Sequence, residues 1–226
     1  MLKSEKSKSG SSEKGLKNLQ QQKKTSKCML EIEKSLYSKG YSKIVGIDEA
    51  GRGPLAGPVV AAAVIFPIDI KPFIFRDSKK LSPKERERLF HQIKENAVSV
   101  GIGIVDSTVI DRINIYNATK LAMERALEDL KTDYDYIITD YVRFDPYPHI
   151  SVKKADEKSL SVAAASIIAK VIRDRIMEEF SKVYPHSFDR HKGYPTKLHR
   201  EEIMKYGLTP IHRKSFNTGI QHRLEL

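Results

Sequence analysis

Two apolar runs set close together constrain this chain more than any other feature in it. Ile44-Val45-Gly46-Ile47 ends on adjacent carboxylates, Asp48 and Glu49, and Val59 to Phe66 forms the second run. Between them lies a turn carrying Gly51, Arg52, Gly53, Pro54, Gly57 and Pro58. Short apolar runs bounded by glycine and proline suit buried strands, so the pattern predicts strand, turn, strand. Glycine lets a backbone approach a ligand closely. Acids at a strand end beside such a turn therefore suit a site where metal and main chain meet one substrate. An ordinary hairpin with a polar tip is the competing reading. Successive strand residues point to opposite faces, so Asp48 and Glu49 can share a site only if the strand distorts at the turn.

The remaining pattern alternates helices and strands. Met29, Ile32 and Leu36 recur at helical spacing, with Gly40 as a stop. Ser82-Pro83-Lys84-Glu85 has the form of a capped helix start, and that helix is predicted to run to about Asn96. A strand follows at Val98 to Val105, then a brief helix from Ser107 to Asp111 and a longer one from Tyr116 to Leu130. Tyr136 to Thr139 reads as a strand ending on Asp140, and Ile150 to Val152 as an edge strand. Leu160 to Val183 is the longest predicted helix, and its Ala163-Ala164-Ala165-Ser166 face would let it pack close to a sheet. A last helix spans Thr196 to Tyr206, with Gly207 as its stop.

Charge points to the partner. The 226 residues carry a formal net charge of +11, which favours a polyanion, nucleic acid before membrane. Residues 1–27 hold eight lysines against two glutamates and little to bury, so they read as a disordered basic tail. Residues 28–226 are long enough for one packed domain. A single cysteine, Cys28, excludes an internal disulfide framework and agrees with a cytoplasmic location. No run is long enough to span a membrane.

The chemistry is suggested by acids. Asp48, Glu49, Asp140 and Asp156 all fall at predicted element ends, and hard oxygen ligands without histidine or cysteine suit Mg²⁺ or Mn²⁺ rather than zinc. With 29 acidic residues in the chain, however, scattered acids are usually surface residues. The glycine turn lacks the Gly-Lys-Ser/Thr ending of a nucleotide loop and opens no Gly-x-Gly-x-x-Gly helix, which disfavours an ATPase or a dinucleotide enzyme. His191-Lys192-Gly193-Tyr194-Pro195-Thr196 could set an aromatic ring against a sugar or base, although a tyrosine capping a loop core is the simpler reading.

Taken together, GIDEAGRGPLAGPVVAAAVI, DSKKLS, KAD followed by VAAASIIAKVIRD, HKGYPTKLH and HRKSF resemble type 2 ribonuclease H, in that family's order and over roughly residues 29–217. The resemblance implies an α/β, ribonuclease H-like fold: a mixed five-stranded sheet flanked by helices, with a helical C-terminal region. It implies a metal-dependent endoribonuclease, cutting the RNA strand of RNA–DNA hybrids and incising duplex DNA 5′ of an embedded ribonucleotide. Asp48, Glu49, Asp140 and Asp156 would be the catalytic and metal-binding acids, served by two Mn²⁺ or Mg²⁺ ions. Gly51, Arg52 and Gly53 would read the ribose 2′-hydroxyl, and Tyr194 would stack on the next deoxyribose. Asp174 is expected to be structural. The family commonly has Asp-Gly where this chain has Asp140-Tyr141, so nearby Asp133, Asp135 and Asp145 stay in view as alternatives. A monomer acting on nucleic acid, away from membranes, is expected.

Two other readings compete. A type 3 ribonuclease H shares the fold but carries a folded N-terminal domain and lacks this Gly-Arg-Gly. A noncatalytic RNA-binding protein would explain the charge but not the carboxylates. Whether Lys154, Lys170 and Arg213 touch phosphate stays open in the sequence.

Overall fold

Val59–Ile65 (β2) is buried along its whole length, which is why it reads as an unbroken apolar run rather than an alternating one. A computed structural model describes residues 29–71, 81–140 and 142–217. Residues 1–28, among them the expected basic tail, and residues 72–80, 141 and 218–226 lie outside those described. β2 pairs antiparallel with both Ile44–Ala50 (β1) and Ser99–Val105 (β3). Tyr136–Thr139 (β4) and His149–Ser151 (β5) extend the sheet beyond β1 in parallel, giving the order β3-β2-β1-β4-β5. This is the mixed five-stranded sheet that the family resemblance implies.

Helices cover both faces: Glu31–Tyr37 (α1), Pro83–Asn96 (α2), Ser107–Glu128 (α3), Leu160–Val183 (α4), Phe188–His191 (α5) and Lys197–Tyr206 (α6). Alternate residues of β2 serve opposite layers. Val60, Ala62 and Val64 pack with Leu89, Phe90 and Ile93 of α2 and with Ala164 and Ile168 of α4. Val59, Ala61 and Ala63 pack with Ala118, Ala122 and Met123 of α3. Each of the larger core side chains, Val, Leu, Ile, Phe and Met, contributes roughly 1.5–3 kcal/mol on burial.

Local chemistry sets the element ends. Ser82 accepts from the Glu85 N–H, while the Glu85 carboxylate accepts from the Ser82 N–H, so α2 starts on a complete capping box with Pro83 in its first turn. α3 is broken at Asn114, whose φ of 64° is not helical and whose side chain accepts from the Asn117 N–H. The predicted pair of helices is therefore present, joined end to end. α4 begins at Ser159, which accepts from the Val162 N–H. Buried Glu33 of α1 accepts from the Ser159 hydroxyl and from the Ser161 N–H and hydroxyl, tying α1 to the first turn of α4.

Close approach of α4 to the sheet depends on one glycine. A Cβ on Gly46 would come within 2.3 Å of the Ser161 backbone, so Gly46→Ala would force β1 and α4 apart. The C-terminal segments fold back over the glycine turn: the Leu55 N–H donates to Gly193 O, the Gly57 N–H to Ile211 O, and the Arg213 N–H to Leu55 O. Among the described residues no helix is long and apolar enough to cross a membrane.

Candidate active site

The site lies where β1 and β4 part. Their pairing stops at Gly46 opposite Ile138, while β1 stays in register with β2 as far as Ala50 opposite Val60. Asp48 and Glu49 thus lie within the strand rather than past its end, as the sequence suggested. The strand need not distort for the two acids to meet. With β4 gone from its edge, β1 presents both faces to one cleft of about 300 Å³. Asp48 looks toward Ser166 of α4, with which it shares a hydrogen bond. Glu49 looks the other way, toward Arg52, whose guanidinium stands 3.4 Å from its carboxylate.

Asp140 and Asp156 complete the acidic lining. Asp140 follows the last residue of β4, where the Thr139 hydroxyl turns the chain by bonding both the N–H and C=O of Val142. Asp156 sits on a short 3₁₀ turn, Ala155–Glu157, entered through Lys154 in the left-handed conformation (φ 60°). The Lys154 N–H donates to the Asp140 carboxylate, so the two acidic segments are tied together. The alternative acids stand elsewhere. Asp135 accepts from the Ser42 and Lys43 N–H groups at the opposite end of the strand pair, and Asp145 pairs with Arg143 in solvent.

Electrostatics make the cleft demanding. Burial pushes the Asp48 carboxyl well above the usual carboxylate range, and the charges of Glu49 and Asp156 push it further against the Ser166 hydrogen bond. Burial also raises Glu49, opposed by Arg52 and helped by Asp140. Like charges forced together out of water need a cation or protons. The donors are hard carboxylate oxygens with no histidine or cysteine beside them, which fits a Mg²⁺- or Mn²⁺-type ion. Among the described residues, no three Asp, Glu, His or Cys side chains already close into a ligand group. The acids frame the cleft without drawing together.

Gly51, Arg52, Gly53 and Tyr194 form the other wall. Gly51 has φ +100°, and a Cβ there would strike the Arg173 guanidinium arm at 2.1 Å. Tyr194 is 39% exposed and lies beside Gly53, with its ring over the Arg173 guanidinium at 5.8 Å. An exposed aromatic face next to open backbone suits a sugar or base.

The sequence did not assign to any residue the role of holding this wall. Arg213, with no exposed surface, donates to the carbonyls of Gly51, Arg52, Gly57 and Pro58. Its guanidinium is therefore committed to the turn and not to phosphate. Arg173 does the same for Pro58, Ala56 and Lys192. Ser166 and Lys170 also line the cleft. Lys170 reaches it while bonded to Asp174, which also faces Arg86 at 3.9 Å and does not line the cleft. Lys154 extends into solvent and pairs with Glu157.

A mixed sheet of this order flanked by helices is the ribonuclease H-like fold. A solved structure of ribonuclease H2 from Pyrococcus horikoshii OT3 superposes with a TM-score of 0.64 at 29% identity, covering 81% of this chain and 98% of that one. The Ribonuclease HII family profile matches residues 45–219. Ribonuclease HII of Sulfurihydrogenibium sp. (strain YO3AOP1) is 57% identical over 191 residues, 84% of this chain and 97% of its own length. That of Aquifex aeolicus (strain VF5) is 58% identical over 190 residues, 84% and 96% of the two chains. The chain belongs to the ribonuclease HII family, whose members are endoribonuclease hydrolases.

Proposed function

We propose that the chain is a divalent-metal-dependent endoribonuclease that cuts the RNA strand of RNA–DNA hybrids and incises duplex DNA on the 5′ side of an embedded ribonucleotide. The observation that carries this reading is that the acids and the Gly51–Gly53 turn, with Tyr194, line one cleft. Chemistry and sugar recognition then act on the same nucleotide.

Asp48, Glu49, Asp140 and Asp156 would hold Mg²⁺ or Mn²⁺, which when bound supplies an activated water and charge stabilisation for a leaving 3′-oxygen. The products are 5′-phosphate and 3′-hydroxyl ends. Arg52 neutralises Glu49 and keeps the turn beside the acids. The main chain of Gly51 to Gly53 meets the 2′-hydroxyl, which both donates and accepts and so separates RNA from DNA. The Tyr194 ring packs on the deoxyribose that follows. The net charge of +11 draws the polyanionic duplex to the site. We infer a cytoplasmic monomer working in ribonucleotide excision and in removal of hybrids or primers, with residues 1–27 adding nonspecific affinity.

Cleavage of two duplexes tests the reading, one with a single ribonucleotide and one with a long RNA stretch, each with Mg²⁺ or Mn²⁺. Both should be cut, the first on the 5′ side of the ribonucleotide. Cutting of the long stretch alone would favour type 3 behaviour. Cutting of neither would defeat the enzyme reading.

A further inference from the structure

Four buried histidines, His186, His191, His199 and His212, gather behind the recognition wall without touching the acidic cleft. Two of them form a bridge whose proton positions are dictated by its ends. His199 Nδ1 lies 2.9 Å from the Tyr194 carbonyl, which can only accept, so Nδ1 carries the hydrogen and Nε2 is bare. His212 Nδ1 receives the Thr209 N–H at 2.9 Å, so there Nδ1 is bare and Nε2 carries the hydrogen. The two Nε2 atoms meet at 3.1 Å as one donor and one acceptor. The relay runs unbroken from Tyr194 O through both rings to Thr209.

Each end of this relay grips the recognition wall. On one side, Tyr194 supplies the exposed ring, and its neighbour Gly193 accepts the Leu55 N–H. On the other, His212 forms an antiparallel bridge with Ala56, and the next residue, Arg213, donates to the carbonyls of Gly51 and Arg52. The imidazole–imidazole hydrogen bond thus ties the Tyr194 segment to the glycine turn, beside the Leu55 N–H to Gly193 O bond and the Arg173 bonds to Ala56, Pro58 and Lys192.

We propose that His199 and His212 are positioning residues that set the spacing of Tyr194 from the Gly51–Gly53 turn, and with it the preference for an RNA–DNA junction over a long hybrid. The proposal rests on the function proposed above and adds residues that touch neither substrate nor metal. Burial drives both imidazoles down to about 4, so both stay neutral at the pH of the reaction and the relay keeps its direction. His191 is separate: its Nδ1 receives the Gly193 N–H and its Nε2–H bonds Glu202. It braces the Tyr194 segment from behind.

Long-range ¹H–¹⁵N imidazole spectra of the full chain at pH 7 test the relay without any substitution. Hydrogen on Nδ1 of His199 and on Nε2 of His212 is expected; the reverse tautomer at either ring overturns the proposal. Two one-ended replacements then test the function. In His199→Asn the amide can still donate to Tyr194 O but cannot reach His212. In His199→Gln the amide oxygen can still accept from His212 but loses Tyr194. With one hydrogen bond at stake, His199→Gln should lower kcat/KM on the single-ribonucleotide duplex about fivefold more than on the long hybrid. His199→Asn, which breaks the imidazole–imidazole bond itself, should shift that ratio in the same direction by a comparable factor. Parallel losses on both duplexes in the two variants would mark a merely structural role and overturn the proposal. A wild-type chain that cuts neither duplex would defeat the underlying function, whereas a wild type that cuts both and variants with an unaltered ratio would defeat the positioning role alone.

Discussion

For both Asp48 and His199 burial is the leading influence on the proton. Their surroundings differ. Asp48 meets the charges of Glu49 and Asp156 and opens onto a cleft. His199 has a partner for each ring nitrogen and no exposed surface. The cleft holds negative charge that Arg52, Ser166 and the Lys154 N–H meet only in part, so it opposes folding until a cation or proton arrives. The histidine cluster holds neutral groups whose bonds point one way, with His186 Nδ1 the one ring nitrogen among them left without a partner. It supports folding only while uncharged.

The sharpest way to break this contrast is to remove charge from the cleft. Asp48→Asn should lower cleavage at least about 100-fold, the scale on which loss of a preorganised electrostatic contact is felt. The same substitution should raise Tm by about 2–4 °C for each ~1 kcal/mol of relieved repulsion. Calorimetry and turnover measured together check it; a fall in Tm would mean that the carboxylate is not under strain.

Arg213 lies between the two cases, a buried charge answered by four carbonyls rather than by a carboxylate. Arg213→Lys keeps the charge but not the planar fork, so some of the Gly51, Arg52, Gly57 and Pro58 carbonyls lose their donor. We expect a loss of about 3 kcal/mol, read from urea unfolding. Near wild-type stability would mean that the turn holds its shape unaided.

A smaller effect should follow pH. His199 and His212 fall from an ordinary 6.5 to about 4 in the folded state, chiefly through burial, with His191 and His186 lowering both and His199 lowering His212; at His199 the hydrogen bond to Tyr194, and then Glu202, act against this. Between those values the unfolded chain binds more protons than the folded one. Their contribution is therefore complete above about pH 6.5 and declines as pH falls toward 4. Asp48 and Glu49, raised by burial, have the opposite sign, since their protonation relieves the folded state. Urea midpoints at pH 7, 5.5 and 4.5 should consequently fall more steeply in Asp48→Asn than in wild type. Equal slopes would remove the distinction between the two regions.

Most of the scaffold could be read from local pattern. Ser82, Pro83 and Glu85 place the start of α2, Gly207 closes α6, and the small residues of α4 announce a helix lying tight on a sheet. Each of those signals is written within a few residues. The cleft was only partly legible. Asp48, Glu49, Asp140 and Asp156 belong to segments up to about a hundred residues apart, and family resemblance singled them out where spacing could not. Why Asp48 and Glu49 share a cleft depends on where β4 stops pairing, a fact about two strands and not about either sequence. Arg173, Arg213, His199 and His212 fall inside the motifs that carry the resemblance, but nothing in their local pattern shows what they bond. A buried arginine bonded to carbonyls more than a hundred residues away has the same local pattern as one in solvent.

The bridge between Ala56 and His212 has a consequence for how the chain is made. All four acids of the cleft leave the ribosome before residue 213, which ties down the glycine turn. On the function proposed above, a growing chain would therefore hold its cutting residues before the wall that chooses where to cut is complete.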